Sequence, residues 1–436
     1  MSKNTEYLER GMRRIPGLTQ LLSKRPDQFA PGLWPTYFSK ANGTEVWDLD
    51  GCKYLDMSIS GIGANILGYC DPEVDAAVIK CVQTGNSSSL NAPEEVELAE
   101  LLCDIHPWAH KVRYTRSGGE ALAVAVRIAR AAVGRDRIAF CGYHGWSDWY
   151  LAANLTSDDS LEGHLLPGLS PLGVPKGLRG TALPFHYNKV QELKNIFDKY
   201  PGEVAAVIME PLRNELPAPG FLEEVKTLAK SAGAVLIFDE VSSGFRLNTG
   251  GVHLSLGIEP DMAVFAKAIS NGYPMAAIIG RDDVMASAEK TFISSTYWTD
   301  RIGPVAALTT INKYQRENVS IHLSKIGKAV QDLWTQAASE VGLSINVYGI
   351  YPMSYFKFNG PDSQVMMTYY VQEMLKYGFL ASNRFYANFA QQISHVEEFG
   401  IAIRKVFREI ADFSSQGPMI NYLTKSVSRP GFHRLN

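Results

Sequence analysis

Cysteine is scarce in this chain. The five present (Cys52, Cys70, Cys81, Cys103 and Cys141) form an odd, scattered set without a CxxC pair. That argues against a disulfide frame or a thiolate zinc centre. It leads us to expect no bound metal and a reducing, cytoplasmic setting. An excess of charge of either sign is also missing. Lys+Arg number 42 against 45 Asp+Glu, a net charge of −3, so no global basic field draws the chain to nucleic acid or a membrane. No apolar run approaches the length of a membrane-crossing helix. The N-terminal MSKNTEYLERGMRRIPG mixes charges and lacks the apolar centre of a secretory signal. Repeats and low-complexity tracts are absent. With 436 residues, 46% of them hydrophobic, the chain can bury a large core in two or three domains.

Two apolar runs that end in polar residues stand out. AVLIFDEV (Ala234–Val241) is followed by MAVFAKAISNGYP, which sets Lys267 28 residues after Asp239. Runs of this kind read as buried strands that deliver a side chain to the rim of a sheet. A lone lysine past a strand is ordinarily a solvated side chain, and a lone acid there is ordinarily a cap. An acid and a lysine on consecutive parallel strands both reach the carboxyl edge, where ligands bind in open α/β folds. A carboxylate facing a pyridinium nitrogen, with a lysine able to form an imine, is the protein half of pyridoxal phosphate chemistry. A cationic ring nitrogen would also give a buried Asp239 the partner it needs to stay ionised.

The surrounding pattern alternates strand and helix. Short apolar runs at Val112–Thr115, Arg137–Cys141, Val204–Met209, Ala234–Phe238, Ala263–Phe265 and Met275–Ile279 read as strands. Gly119–Ala132 and Pro219–Ala232 read as helices ended by glycine. The alternation predicts an α/β fold with a mostly parallel sheet covered by helices. Residues 151–182 make too long a connection for an ordinary loop and read as a lid. Two pieces around Thr44–Trp47 and Lys53–Met57 read as a hairpin. We expect it to join a C-terminal unit holding the strands Ile345–Tyr348 and Tyr355–Phe358 and a closing helix near Glu397–Asp412. The expected domains are 1–70 and 306–436, a smaller α/β domain built from both chain ends, and 71–305, the large cofactor-binding domain.

Two further turns follow strands. Thr115-Arg116-Ser117-Gly118-Gly119-Glu120-Ala121 exposes backbone N–H groups at the start of an alanine-rich helix, which suits a phosphate. Ser117, Gly118 and Gly119 are the candidate ligands, with a plain helix cap as the competing reading. In Cys141-Gly142-Tyr143-His144-Gly145-Trp146 an aromatic can stack on a ring. The competing reading is a packed tyrosine beside a surface histidine.

TRSGGEA, YHGW, MEP, LIFDEVSSGFR and AKAISNGYP at this spacing resemble the class III aminotransferases, fold-type I PLP enzymes. Within them the resemblance extends furthest to the glutamate semialdehyde aminomutases, from WDLDGCKYLDM through GVPKGLRGTALPFHYN to NRFYANFAQQISHVEE. It implies pyridoxal 5'-phosphate as cofactor and a homodimer with active sites at the interface. It also implies Lys267 as Schiff-base lysine, Asp239 as pyridinium partner, Val241 beneath the ring and Tyr143 above it. Glu210 would lie near the phenolic oxygen, Gly118 and Gly119 on the phosphate, and Thr296 (or Thr299) on the neighbouring subunit's phosphate. The family's usual asparagine and threonine in the phosphate turn are Arg116 and Gly119 here.

The chain departs from the aminomutases where substrate is gripped. Gln28–Gly43 contains no arginine, Arg25 lies upstream of it, and an expected glutamate reads Tyr386. Trp34, Tyr37, Trp146, Trp149 and Tyr386 would make an aromatic, hydroxyl-bearing pocket suited to a sugar-like or neutral substrate. Arg384, then Arg116 and Arg246, are candidates to hold a carboxylate. The expected activity is an aminotransferase moving an amino group from an amino-acid donor to an aldehyde or ketone in two half-reactions. The alternatives are an intramolecular aminomutase, another PLP reaction such as epimerisation or decarboxylation, and a non-catalytic binding protein. Intact Asp239 and Lys267 speak against the last.

Overall fold

In a computed structural model the described residues are 2–157, 160–161, 164, 168–212 and 214–429. They form two compact units, one within residues 72–320 and the other, from both chain ends, within 2–71 and 321–429. Residue 305 falls within the helix Ile302–Arg316, which buries Ala306, Ala307 and Ile311. The chain leaves the larger unit only after Ser320.

The chain opens with the meander β1 (Phe38–Asn42), β2 (Glu45–Asp48) and β3 (Lys53–Met57). Next come β4 (Lys111–Thr115), β5 (Arg137–Cys141), β6 (Ala182–Pro184), β7 (Val204–Met209), β8 (Val235–Asp239), β9 (Met262–Phe265) and β10 (Ala276–Gly280). It closes with β11 (Ile345–Ile350), β12 (Met353–Phe358), β13 (Phe379–Ala381) and β14 (Arg384–Tyr386). In the smaller unit β13 pairs parallel to β3, so the N-terminal strands join the C-terminal segment. A second sheet there has the order β11-β12-β14.

The larger unit is built on a seven-stranded sheet of order β4-β10-β9-β8-β7-β5-β6. The neighbours from β9 to β6 run parallel. β10 is antiparallel to both β9 and β4, so the sheet is mostly rather than wholly parallel. The helix Gly118–Val133 is capped by Ser117 and ends at Gly134, whose φ of 65° suits a residue without Cβ. It packs Ala121, Ala125 and Ile128 on one face of the sheet, against Val235, Ile237, Val264 and Ile278. On the other face Phe221, Leu222, Val225 and Ala229 of the helix Phe221–Ser231 meet Val207, Met209, Leu236 and Phe238. Side chains alternate along a strand, so Asp239 continues the face of Val235 and Ile237, and Glu240 that of Leu236 and Phe238. Of the stretch expected to form a lid, residues 158–159, 162–163 and 165–167 lie outside the described residues. Ala152, Ala153, Leu161 and Val174 within it are buried against the sheet.

Candidate functional site

Most candidates in the larger unit gather at the carboxyl edge of the sheet. Ser117–Gly119 follow β4, Tyr143 and Trp146 follow β5, and Glu210 follows β7. Asp239 ends β8, with Val241 just beyond it, and Lys267 follows β9.

Asp239 is buried, 3% exposed. One oxygen accepts the Val241 N–H (3.0 Å) and the other lies 2.7 Å from His144 Nδ1. His144 is therefore not a surface residue as the sequence suggested. It is fully enclosed, with its Nε2 3.0 Å from the Cys141 carbonyl oxygen. Both ring nitrogens face oxygen acceptors. Trp149 stacks on His144 (6.1 Å, 23°) and is buried in the core.

Lys267 has a left-handed backbone, φ 51°, a conformation that costs a residue bearing a Cβ about 1–2 kcal/mol. Its Nζ donates to the Ser242 hydroxyl at 2.8 Å. Acid and lysine, far apart in sequence, thus both engage the Val241–Ser242 turn. That turn also touches the glycine-rich one. A Cβ on Gly118 would sit 2.9 Å from Val241 Cγ1, and one on Gly119 3.0 Å from Trp146 Nε1. Ser117 acts as the helix cap, its hydroxyl donating to Glu120 Oε2 at 3.1 Å while its oxygen accepts the Glu120 N–H. The amides of Gly118 and Gly119 have no partner among the described residues. They are the free donors expected at a helix start, which favour an anion. Glu210, 6% exposed, accepts the Tyr143 N–H at 3.3 Å. Gly142 has φ 112°, and a Cβ there would meet the Glu210 carboxylate at 2.7 Å. Bare amides for a phosphate, a buried carboxylate for a pyridine nitrogen and an amine for an aldehyde carbon fit pyridoxal phosphate.

Other candidates lie elsewhere. Thr296 is exposed in a single 3-10 turn, where its carbonyl accepts the Thr299 hydroxyl at 2.9 Å. Arg116 is committed to an ion pair with Asp300, and Arg246 is buried with its Nε on the Ser242 carbonyl. Trp34, Arg384 and Tyr386 belong to the smaller unit. Trp34 stacks on Phe29 (4.1 Å), and Arg25 is closed onto Asp27 at 2.5 Å. The Tyr386 hydroxyl is 3.1 Å from that of Tyr355, which Arg384 opposes in the sheet. The guanidinium of Arg384 has no carboxylate partner among the described residues. Its Nε is out of water and without a hydrogen bond.

Sequence reasoning also missed a buried network behind β8. Glu240 Oε1 accepts two N–H groups of His253, the backbone at 3.0 Å and Nδ1 at 2.8 Å. His253 Nε2 accepts the Trp108 indole N–H at 3.0 Å. His106 faces the Leu102 carbonyl through Nδ1 (2.8 Å) and accepts the Gly251 N–H at Nε2 (3.0 Å). No local motif announces these pairings; only the folded sheet brings them together. Burial lowers the pKa of His106 from its ordinary 6.5 to about 4. An unfolded chain protonates this histidine below pH 6.5, whereas the folded chain waits until about pH 4. Folding stability should therefore fall as pH drops through that window, by up to ~3 kcal/mol from this group. Thermal midpoints between pH 7 and pH 4 should decline less steeply in His106→Gln.

Residues 30–350 match the family Aminotransferase class-III. The chain is 31% identical over 384 residues to the 3-aminobutyryl-CoA aminotransferase of Cloacimonas acidaminovorans (strain Evry), covering 85% of this chain and 88% of that protein. It is 32% identical over 362 residues to the 2'-deamino-2'-hydroxyneamine transaminase of Streptomyces kanamyceticus, covering 83% and 86%. Among solved structures it superposes on the PLP internal aldimine form of the FumI protein of Sphingopyxis sp. MTA144. The TM-score is 0.86 at 25% identity, over 96% of this chain and 99% of that one.

Proposed function

Because the chain belongs to the class III aminotransferase family, and so is a PLP-dependent aminotransferase, we propose that Lys267 anchors its cofactor and Asp239 holds the pyridine nitrogen. The observation that carries these roles is the convergence of both side chains on the Val241–Ser242 turn. When bound, pyridoxal phosphate supplies an electron-poor ring that takes up the electron pair of the substrate Cα–H bond. Asp239, braced by His144, keeps the ring nitrogen protonated. Lys267, with its amine free, would serve as the base that takes the proton from the substrate Cα and the acid that returns it. Ser117, Gly118 and Gly119 would hold the phosphate, Val241 and Tyr143 would enclose the ring, and Glu210 would stand by its phenolic oxygen. Thr296 is assigned to a neighbouring subunit's phosphate.

The substrates are small molecules. We propose an amino-acid donor whose carboxylate Arg384 receives, and an aldehyde or ketone acceptor that includes sugar-like carbonyls. Trp34, Trp146 and Tyr386 would supply its apolar and hydroxyl contacts. The support for Arg384 is its buried, unpartnered Nε, which a carboxylate would satisfy with charge-assisted hydrogen bonds. Arg384→Ala should raise KM for α-amino acid donors by roughly 10- to 100-fold, the worth of hydrogen bonds to a charged group. KM for a simple amine without a carboxylate should stay within about twofold on the same principle. An equal rise for both donors would remove Arg384 from this role. Turnover that requires an external donor separates the aminotransferase from an intramolecular aminomutase.

The working unit we propose is a cytoplasmic homodimer. Leu90 (83% exposed), Phe292 (84%) and Tyr297 (78%) leave large apolar surfaces open on the larger unit. The Asn86 carbonyl accepts the Arg301 N–H, which ties two of these segments together. Sedimentation should give twice the monomer mass. All five cysteines are free thiols, as a reducing compartment would keep them. Among the described residues no helix is long and apolar enough to cross a membrane.

A further inference from the structure

Glu240 is wholly buried and faces away from Asp239, across the sheet. No cofactor contact falls to it. We infer that Glu240 is a positioning residue that acts on Lys267 through Ser242.

The argument starts from the donors that surround it. Oε1 takes the two N–H groups of His253, and Oε2 takes the Ser243 hydroxyl at 2.5 Å. The Trp108 indole donates to His253 Nε2, which leaves the ring proton on Nδ1, aimed at the carboxylate. Burial opposes the ionisation of Glu240, but the hydrogen bonds from His253 and from the Ser243 hydroxyl outweigh it and hold its pKa below the ordinary value. The packing leaves no slack. A Cβ on Gly251 would lie 2.8 Å from Glu240 Oε1 and 2.3 Å from His253 Nδ1.

The backbone carries this rigidity to the lysine. The Glu240 N–H donates to the Val264 carbonyl of β9 (2.9 Å), and the Gly244 N–H donates to the Glu240 carbonyl (2.8 Å). Val241 is tied by its N–H to Asp239, and Ser243 by its hydroxyl to Glu240. Ser242 is thus clamped on both sides, and its hydroxyl is what meets the Lys267 amine. Releasing the carboxylate from Ser243 and His253 would let the turn drift and lengthen that contact.

The inference draws its catalytic meaning from the role proposed for Lys267, but its test does not depend on turnover. In the full chain stripped of cofactor, Lys267 is methylated reductively with formaldehyde and borohydride, and its rate is read by peptide mass spectrometry. Ser242→Ala should change that rate about fivefold, the size of coupling usual for hydrogen-bonded neighbours. Ser242→Thr, which keeps the hydroxyl, should stay within about twofold of wild type by the same measure. Glu240→Gln should shift the rate in the direction of Ser242→Ala, and the double variant should match Ser242→Ala alone. Effects that multiply, or a wild-type rate in Glu240→Gln, would overturn the inference. If Glu240→Gln does not fold, Ser243→Ala carries the test. A shift in the same direction supports the inference, and an unchanged Lys267 rate overturns it. Either failure leaves the transamination reading intact, because that reading is judged on donor and acceptor turnover.

Discussion

Lys267→Ala should lower kcat by about 10⁴-fold or more, the upper end of what a positioned proton-transfer group contributes. The same side chain is assigned two tasks, anchoring the cofactor and moving the proton, so its removal cancels both. No neighbour can stand in. Arg246 sits on the same turn, but its guanidinium stays protonated and is buried on the Ser242 carbonyl. The assay is single-turnover conversion between the pyridoxal and pyridoxamine forms with an added amino donor. Lys267→Ala should still bind pyridoxal phosphate, held by the glycine turn, but without the visible band of a covalently attached cofactor. A variant that retains more than about one per cent of the wild-type rate would refute the assignment, since that loss falls well short of the range expected for such a group.

Asp239→Ala should cost 10²- to 10⁴-fold in kcat/KM. The estimate follows from the ~3–5 kcal/mol lost when one partner of a buried charge pair is removed, at about 1.4 kcal/mol per decade. Here the loss falls twice. The ring nitrogen loses the group that keeps it protonated, and His144, fully buried, loses the carboxyl oxygen that its Nδ1 faces at 2.7 Å. The variant should therefore also melt earlier. Asp239→Asn keeps the shape and separates the two effects. Its amide can still accept one hydrogen bond, so stability should recover more than activity. Equal recovery of both would mean that Asp239 serves packing alone.

The strands of the larger sheet were legible because buried strands are written as short apolar runs. Arg137–Cys141 and Val204–Met209 coincide with β5 and β7. Direction was not legible. Ala276–Gly280 is as apolar as its neighbours, and nothing in such a run says that it lies antiparallel. β1 escaped notice because FSKAN is mostly exposed and carries no apolar stripe. The three-residue strands β13 and β14 are too short for any period to show. In the site, Asp239 and Lys267 could be read because each ends its own run. His144 could not, because its partner is 95 residues away and a histidine beside glycines is ordinarily a loop residue. The Glu240 network was hidden for the same reason. A second acid after a strand looks like a solvated cap until the fold supplies His253, Ser243 and Trp108.

The placement of Asp239 and Glu240 on opposite sides of one strand restricts how this gene can drift. Deleting a single codon between Val235 and Phe238 would turn both carboxylates to the opposite face, setting the glutamate where the aspartate now meets His144 and a valine where the glutamate now meets His253. The first pocket would then receive an acid one methylene too long and the second no acid at all, and both failures would arrive with one mutation. Length changes should be absorbed in the exposed connections instead, so this segment is a poor place for insertions, tags or circular permutation and a sound anchor for aligning distant sequences.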